Sequence, residues 1–127
     1  MKIGYIGASG LMGHGMAKNL LAKGQQLAIT VHTQRDRVQD LLDAGASLAA
    51  NAAELGASCD VVLICVTGSP QVEAVVAGPG GLLSKARAGL VIIDTSTSEP
   101  DSTHRLAALC AEKGVVYVDA PLTRTPI

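Results

Sequence analysis

Phenylalanine and tryptophan are absent from this chain, and tyrosine occurs only at Tyr5 and Tyr117. Without aromatic platforms there is nothing on which to stack the bases of a single strand, so a nucleic-acid partner is not expected. Charge of one sign is lacking too: 10 Lys and Arg stand against 11 Asp and Glu, with both signs scattered along the chain. That balance argues against a polyanion reader or a membrane-surface binder. Cysteine is scarce, and Cys59, Cys65 and Cys110 are an odd number without C-x-x-C spacing. They read as reduced thiols of a cytosolic protein, with Cys65 expected to be buried inside an apolar run. No apolar stretch approaches the roughly 20 residues a bilayer demands, and no signal-like segment opens the chain, so the expected location is the cytoplasm and no membrane is involved. His14, His32 and His104 form no pair at ligand spacing, which leaves no metal site to expect. There is no G-x-S-x-G elbow and no set of nucleophile, base and acid, so no catalytic residue is assigned.

What the chain does have is small and branched apolar side chains. Of its 127 residues 48% are apolar, and these are mainly Ala, Val, Leu and Ile, which suit helices packed closely on a parallel sheet. The length is enough for one domain, 1–127, with a sizeable core. Apolar runs predict strands at Lys2 to Ile6, Leu27 to Val31, Ser47 to Ala49, Val61 to Val66, Leu90 to Asp94 and Val115 to Asp119. Between them lie helical stretches: Met12, Met16, Leu20 and Leu21 recur at helical spacing, as do Val38, Leu41 and Leu42. Lys23-Gly24, Ala44-Gly45 and Lys113-Gly114 read as helix stops, and Asn51, Ser69 and Ser98 as helix caps, with Pro70 and Pro100 in first turns. Leu106, Leu109 and Cys110 mark the last helix. Strand and helix alternating in this way predict an α/β Rossmann fold: a doubly wound parallel sheet of about six strands, order 3-2-1-4-5-6, with helices on both faces.

Ligands of such a sheet lie outside the carboxyl ends of the strands, where the first and fourth strands part. After the first strand come Gly7, Gly10 and Gly13. In turn they suit a sharp turn, a close backbone approach to a pyrophosphate, and tight packing of helix on strand. The helix that starts there offers free amides and a partial positive charge. The spacing is G-x-x-G-x-x-G, one residue longer than usual between the first two glycines. After the second strand come His32, Thr33, Gln34 and Arg35, where a site preferring NAD would place a carboxylate for the ribose hydroxyls. The absence of that carboxylate, with a guanidinium nearby, favours NADP, with NAD as the alternative. Thr67 and Gln71 follow the fourth strand, and Ser96 and Thr97 the fifth, around the place of the nicotinamide half.

Four blocks in order, IGYIGASGLMGHGMAKNLLAKG, CDVVLICVTGSPQVEAVVAGPGGLL, VIIDTSTSEP and VYVDAPLTRTP, resemble the N-terminal domain of the β-hydroxyacid dehydrogenases. This group includes 3-hydroxyisobutyrate dehydrogenase, 2-hydroxy-3-oxopropionate reductase and the cofactor domain of 6-phosphogluconate dehydrogenase. The resemblance covers essentially the whole chain. It implies that Gly7, Leu11, Met12 and Gly13 line the pyrophosphate and that His32 and Thr33 meet the adenosine ribose or its phosphate. Val66, Thr67 and Gln71 then fall on a cofactor loop and Thr97 beside the nicotinamide. Thr123 takes the place of a substrate-binding serine. Arg124-Thr125 replaces two substrate-loop glycines and adds a guanidinium for a substrate carboxylate; Ser96 joins this substrate side.

The reaction implied for the complete enzyme is reversible hydride transfer between the nicotinamide and a small 3-hydroxy acid, with a lysine as general acid and base. That lysine and the all-helical domain of the family lie beyond the sixth strand, and this sequence stops at Ile127. The expectation is therefore a cofactor domain without turnover of its own, whose uncovered apolar surface drives self-association. Two other readings stand beside it. One is a free-standing nucleotide-binding or assembly module. The other is an atypical short-chain dehydrogenase or redox sensor, suggested by Gly7-Ala8-Ser9-Gly10 but without the Tyr-x-x-x-Lys pair that such enzymes carry.

Overall fold

The computed structural model describes residues 2–7, 11–30, 38–66, 68–96 and 99–120. Six strands form one sheet: β1 (Lys2–Ile6), β2 (Gln26–Ile29), β3 (Ser47–Leu48), β4 (Val61–Ile64), β5 (Val91–Asp94) and β6 (Val116–Asp119). Five helices alternate with them: α1 (Leu11–Ala22), α2 (Gln39–Asp43), α3 (Ala52–Ser58), α4 (Ser69–Ala77) and α5 (Pro100–Glu112). A 3-10 turn, Leu82–Ser84, precedes β5. The strand order is β3-β2-β1-β4-β5-β6 and every pairing is parallel, the Rossmann order expected from the sequence. From β1 the chain winds outward to β3, then returns to lay β4 against the free side of β1. Two neighbouring connections thus leave the sheet in opposite directions, which opens a crevice at the carboxyl edge.

Strand alternation sends successive side chains to opposite faces. Ile3, Tyr5, Leu27 and Ile29 pack with Ala17 of α1 and with Val38 and Leu41 at α2. Ile6, Ala28, Val62, Ile64 and Ile92 pack on the other face with Leu55, Val72, Val76, Leu106 and Cys110 of α3, α4 and α5. Helix α2 has five residues, too few to persist on hydrogen bonding alone. The complete burial of Val38 and Leu41 holds it on the sheet, each such side chain contributing about 1.5–3 kcal/mol.

Several expected boundaries move. The apolar run of the fourth strand continues to Val66, but the ladder ends at Ile64, and Cys65 is half-buried rather than buried. Past that point the Cys65 amide still donates to the Ile6 carbonyl at 2.9 Å. The Val66 amide turns instead to a side chain, Ser96 Oγ, at 2.8 Å. Leu90 and Val115 are buried yet precede their ladders. Leu109 points outward, 37% exposed, while Leu106 and Cys110 carry the buried face of α5. Two caps also differ. The N-cap of α4 is Gly68, so Ser69 is the first helical residue; that of α5 is Glu99, because Pro100 itself opens the helix. Asn51 does cap α3, its side chain accepting the Glu54 amide proton at 3.0 Å.

Candidate functional site

At the end of β1, Gly7 has φ +101°, a conformation L side chains rarely adopt. A Cβ built on it would sit 1.9 Å from the carbonyl oxygen of Cys65. The bare Cα therefore lets the exits of β1 and β4 run side by side at the point where the sheet divides. Residues 8–10, with Gly10 and the additional residue of the glycine turn, lie outside the described residues. Helix α1 begins at Leu11, so Leu11, Met12 and Gly13 make its first turn. The amides of such a turn lack intrahelical acceptors, and a partial positive charge gathers there.

Beside this turn opens a cleft of about 610 Å³. Ile6 and Gly7 form its base next to Thr30, which follows β2; Ala50, Asn51 and Ala52 make one wall, and Val66, Gln71, Ala74 and Val75 the other. Pro79, Gly80 and Gly81 close the far end. None of these lining residues carries a formal charge. The α3 wall is tied to the far end by backbone, the Ala53 amide donating to the Gly80 carbonyl at 3.1 Å, and is braced within itself by the Ala50 amide donating to Glu54 Oε2 at 3.0 Å. A largely apolar slot with a few amides at its rim, next to a helix N-terminus, suits a flat heteroaromatic base and its sugar with an anionic group at one end.

Past the ends of β4 and β5 hydrogen bonds continue through side chains. The Thr95 amide and hydroxyl both donate to the Ile64 carbonyl, at 2.8 and 2.7 Å. Ser96, 3% exposed, accepts the Val66 amide proton on Oγ, and its own amide donates to Asp94 Oδ1 at 2.9 Å. Tyr117 of β6 donates its hydroxyl proton to Asp94 Oδ2 at 2.5 Å. Burial and the Asp94 carboxylate hold the Tyr117 phenol well above its ordinary range. On the opposite side of the glycine turn, His14 of α1 meets both carboxylate oxygens of Asp40 on α2, at 2.8 and 2.9 Å. The hydrogen bond from His14 lowers the Asp40 carboxyl below its ordinary value.

Of the residues singled out from the sequence, Gly7, Val66 and Gln71 come together on the cleft, and Leu11, Met12 and Gly13 lie in the first turn of α1. Ser96 is buried, its Oγ engaged by Val66 rather than turned toward the cleft. Gly10, His32, Thr33, Gln34, Arg35, Thr67, Thr97, Thr123 and Arg124 fall outside the described residues. Sequence reasoning missed Thr30, the alanines of both walls and the Pro79-Gly80-Gly81 end. The available signal was positional: Thr30 and the residues before α3 also follow strands at the carboxyl edge. Among the described residues no group of His, Cys, Asp and Glu could hold a metal ion, and no helix is long and apolar enough to cross a membrane.

Sheet order, glycine turn and cleft together define a dinucleotide-binding domain of the Rossmann class. Residues 2–126 match the NAD binding domain of 6-phosphogluconate dehydrogenase, and the chain belongs to that family. It is 40% identical over 126 residues to 2-(hydroxymethyl)glutarate dehydrogenase of Eubacterium barkeri, covering 97% of this chain and 40% of that protein. It is 37% identical over 123 residues to 2-hydroxy-3-oxopropionate reductase of Escherichia coli strain K12, covering 97% and 41%. Among solved structures, that of Psf3 in complex with NADP+ and 2-OPP superposes with a TM-score of 0.86 at 30% identity, covering 95% of this chain and 42% of that one. The chain thus spans about two fifths of the length of these relatives.

Proposed function

We propose that these residues are the NADP-binding domain, 1–127, of an oxidoreductase that moves hydride between the nicotinamide and a small 3-hydroxy acid. The observation that carries this reading is the 610 Å³ cleft at the parting of β1 and β4, where Gly7, Val66 and Gln71 converge beside the first turn of α1. Val66, Val75, Ala52 and Ala74 hold the adenine between apolar walls. The amides of the glycine turn, with Gly10, Leu11, Met12 and Gly13, hold the pyrophosphate. His32, Thr33, Gln34 and Arg35 follow β2 and read the 2′-phosphate, while Thr67 and Thr97 flank the nicotinamide. When bound, the cofactor supplies the hydride acceptor or donor. Thr123 and Arg124 hold the carboxylate of the hydroxy acid, with Ser96 fixing the adjoining loop. Hydroxy-acid chemistry for this chain rests on the activities named for the Eubacterium barkeri and Escherichia coli relatives.

No proton-transfer residue is assigned within these 127 residues, so the chain binds cofactor without turning over substrate alone. It works in the cytoplasm, where Cys59, Cys65 and Cys110, all free thiols, stay reduced. It also self-associates through the β5–β6 sheet surface, where Val116 and Val118 are 53% and 40% exposed. Calorimetric titration with NADP and NAD in parallel tests the assignment, and tighter binding of NADP is the expected outcome. Tighter binding of NAD would overturn the phosphate-reading role of residues 32–35, and no binding of either would overturn the function. Steady NADPH production from NADP and 3-hydroxyisobutyrate would overturn the statement that the chain is inactive alone.

A further inference from the structure

One buried carboxylate is not used by the cofactor site as described. Asp94 is fully buried at the end of β5, two strands from the cleft's base at β1, and its partners form a continuous file. Tyr117 on the edge strand β6 donates to Asp94 Oδ2. Asp94 Oδ1 accepts the Ser96 amide proton, and Ser96 Oγ in turn accepts the amide proton of Val66, a wall of the cleft. The file runs at the place where the β4–β5 ladder has ended, and among the described residues the acceptor of the Val66 amide is the Ser96 side chain. Of its three links, the two that end on the Asp94 carboxyl, from the Tyr117 hydroxyl and from the Ser96 amide, hold its centre.

We propose that Tyr117, Asp94 and Ser96 are positioning residues for the dinucleotide, a hydrogen-bonded file that fixes the Val66 wall from the far edge of the sheet. The inference rests on the cofactor reading given above. Asp94 holds the Ser96 amide so that Oγ faces Val66, and Tyr117 holds the carboxylate in the rotamer that reaches Ser96. Removing the Tyr117 hydroxyl takes one donor from the carboxylate, so the Ser96 acceptor of the Val66 amide is held less firmly without any change in the residues lining the cleft. The effect on affinity is that of one modest hydrogen bond in a preorganised site, about three- to tenfold.

The test compares Tyr117→Phe and Ser96→Ala with the unaltered chain and with Leu27→Val, a buried substitution on β2, on the other face of the sheet, that destabilises without touching the file. NADP dissociation constants are measured by calorimetry, and amide exchange at Val66 by ¹⁵N-resolved NMR. Expected are an NADP dissociation constant raised about three- to tenfold in Tyr117→Phe and Ser96→Ala, faster exchange at Val66 in both, and neither change in Leu27→Val. Binding by the unaltered chain with unchanged affinity and unchanged Val66 exchange in Tyr117→Phe would overturn the proposal. So would an equal loss of affinity in Leu27→Val, which would mark the effect as general destabilisation. Failure of the unaltered chain to bind NADP would instead overturn the cofactor reading, and Val66 exchange would still decide whether the file exists.

Discussion

Gly7 is required by the protein itself before any ligand is considered. Its positive φ and the Cys65 carbonyl 1.9 Å from a built Cβ leave no room for alanine. Gly7→Ala is expected to lower unfolding free energy by about 3 kcal/mol, read from denaturant midpoints. Gly15 gives the opposite case: it is exposed within α1, and a Cβ there meets nothing within 4 Å. Gly15→Ala should stabilise by about 0.5–1 kcal/mol in the same assay, and a loss in that variant would contradict the description of α1. The thiols divide by burial as well. Cys59 and Cys110 are fully buried, and burial pushes Cys110 up to about 11 and raises Cys59 as well. With Cys65 only half-buried, a thiol reagent at pH 8 should label Cys65 first in the native protein. Cys59 and Cys110 should react only as fast as the fold opens, a difference peptide mass mapping would show.

At the scale of elements, strand positions and order were legible because apolar runs of Val, Ile and Leu separated by glycine stops suit buried parallel strands. Cap assignments were less legible. Ser-Pro and Ser-Glu-Pro each satisfy the composition of a helix start, but the backbone decides which residue is extended: Gly68 before α4, and Glu99 immediately before Pro100. The cleft was legible only in part. Gly7, Val66 and Gln71 belong to recognisable segments, whereas Ala50, Ala52 and Ala74 become walls only when β3, α3 and α4 converge. Alanine carries no chemistry that marks it in a sequence. The contact between α1 and α2 has a pH dependence of known sign. Hydrogen bonding from His14 lowers the folded-state Asp40 carboxyl from its usual 3.8, and the Lys2 amide, with Arg87, does the same for Asp60. A lowered carboxyl adds stability above its unfolded value, and that stability is lost as pH falls through the folded value. Acid unfolding below about pH 4 should therefore be less steep in Asp40→Asn and Asp60→Asn, and an unchanged acid limb would contradict both contacts.

Taken whole, the molecule is a sheet whose two faces are covered unequally. Helices α3, α4 and α5 pack over β4 and β5 on one face; the other is covered by α1 and α2 near β1 and β2, leaving Val116 and Val118 of β6 largely exposed. Replacing both valines with threonine should shift sedimentation toward monomer while leaving the unfolding midpoint nearly unchanged; identical sedimentation would move the contact elsewhere. The site lies at the carboxyl edge, where the outward and return halves of the winding separate. The cleft past the carboxyl ends of β1 and β4 is expected to take the dinucleotide. Hydrogen–deuterium exchange with and without NADP tests this most directly. Protection of Ile6 to Gly13, residues 32–35 and 50–52, the segment from Val66 to Val75, residues 79–81 and Thr97 is the expected result. NADP that binds yet leaves these segments unprotected, or protects the β6 surface instead, would contradict it.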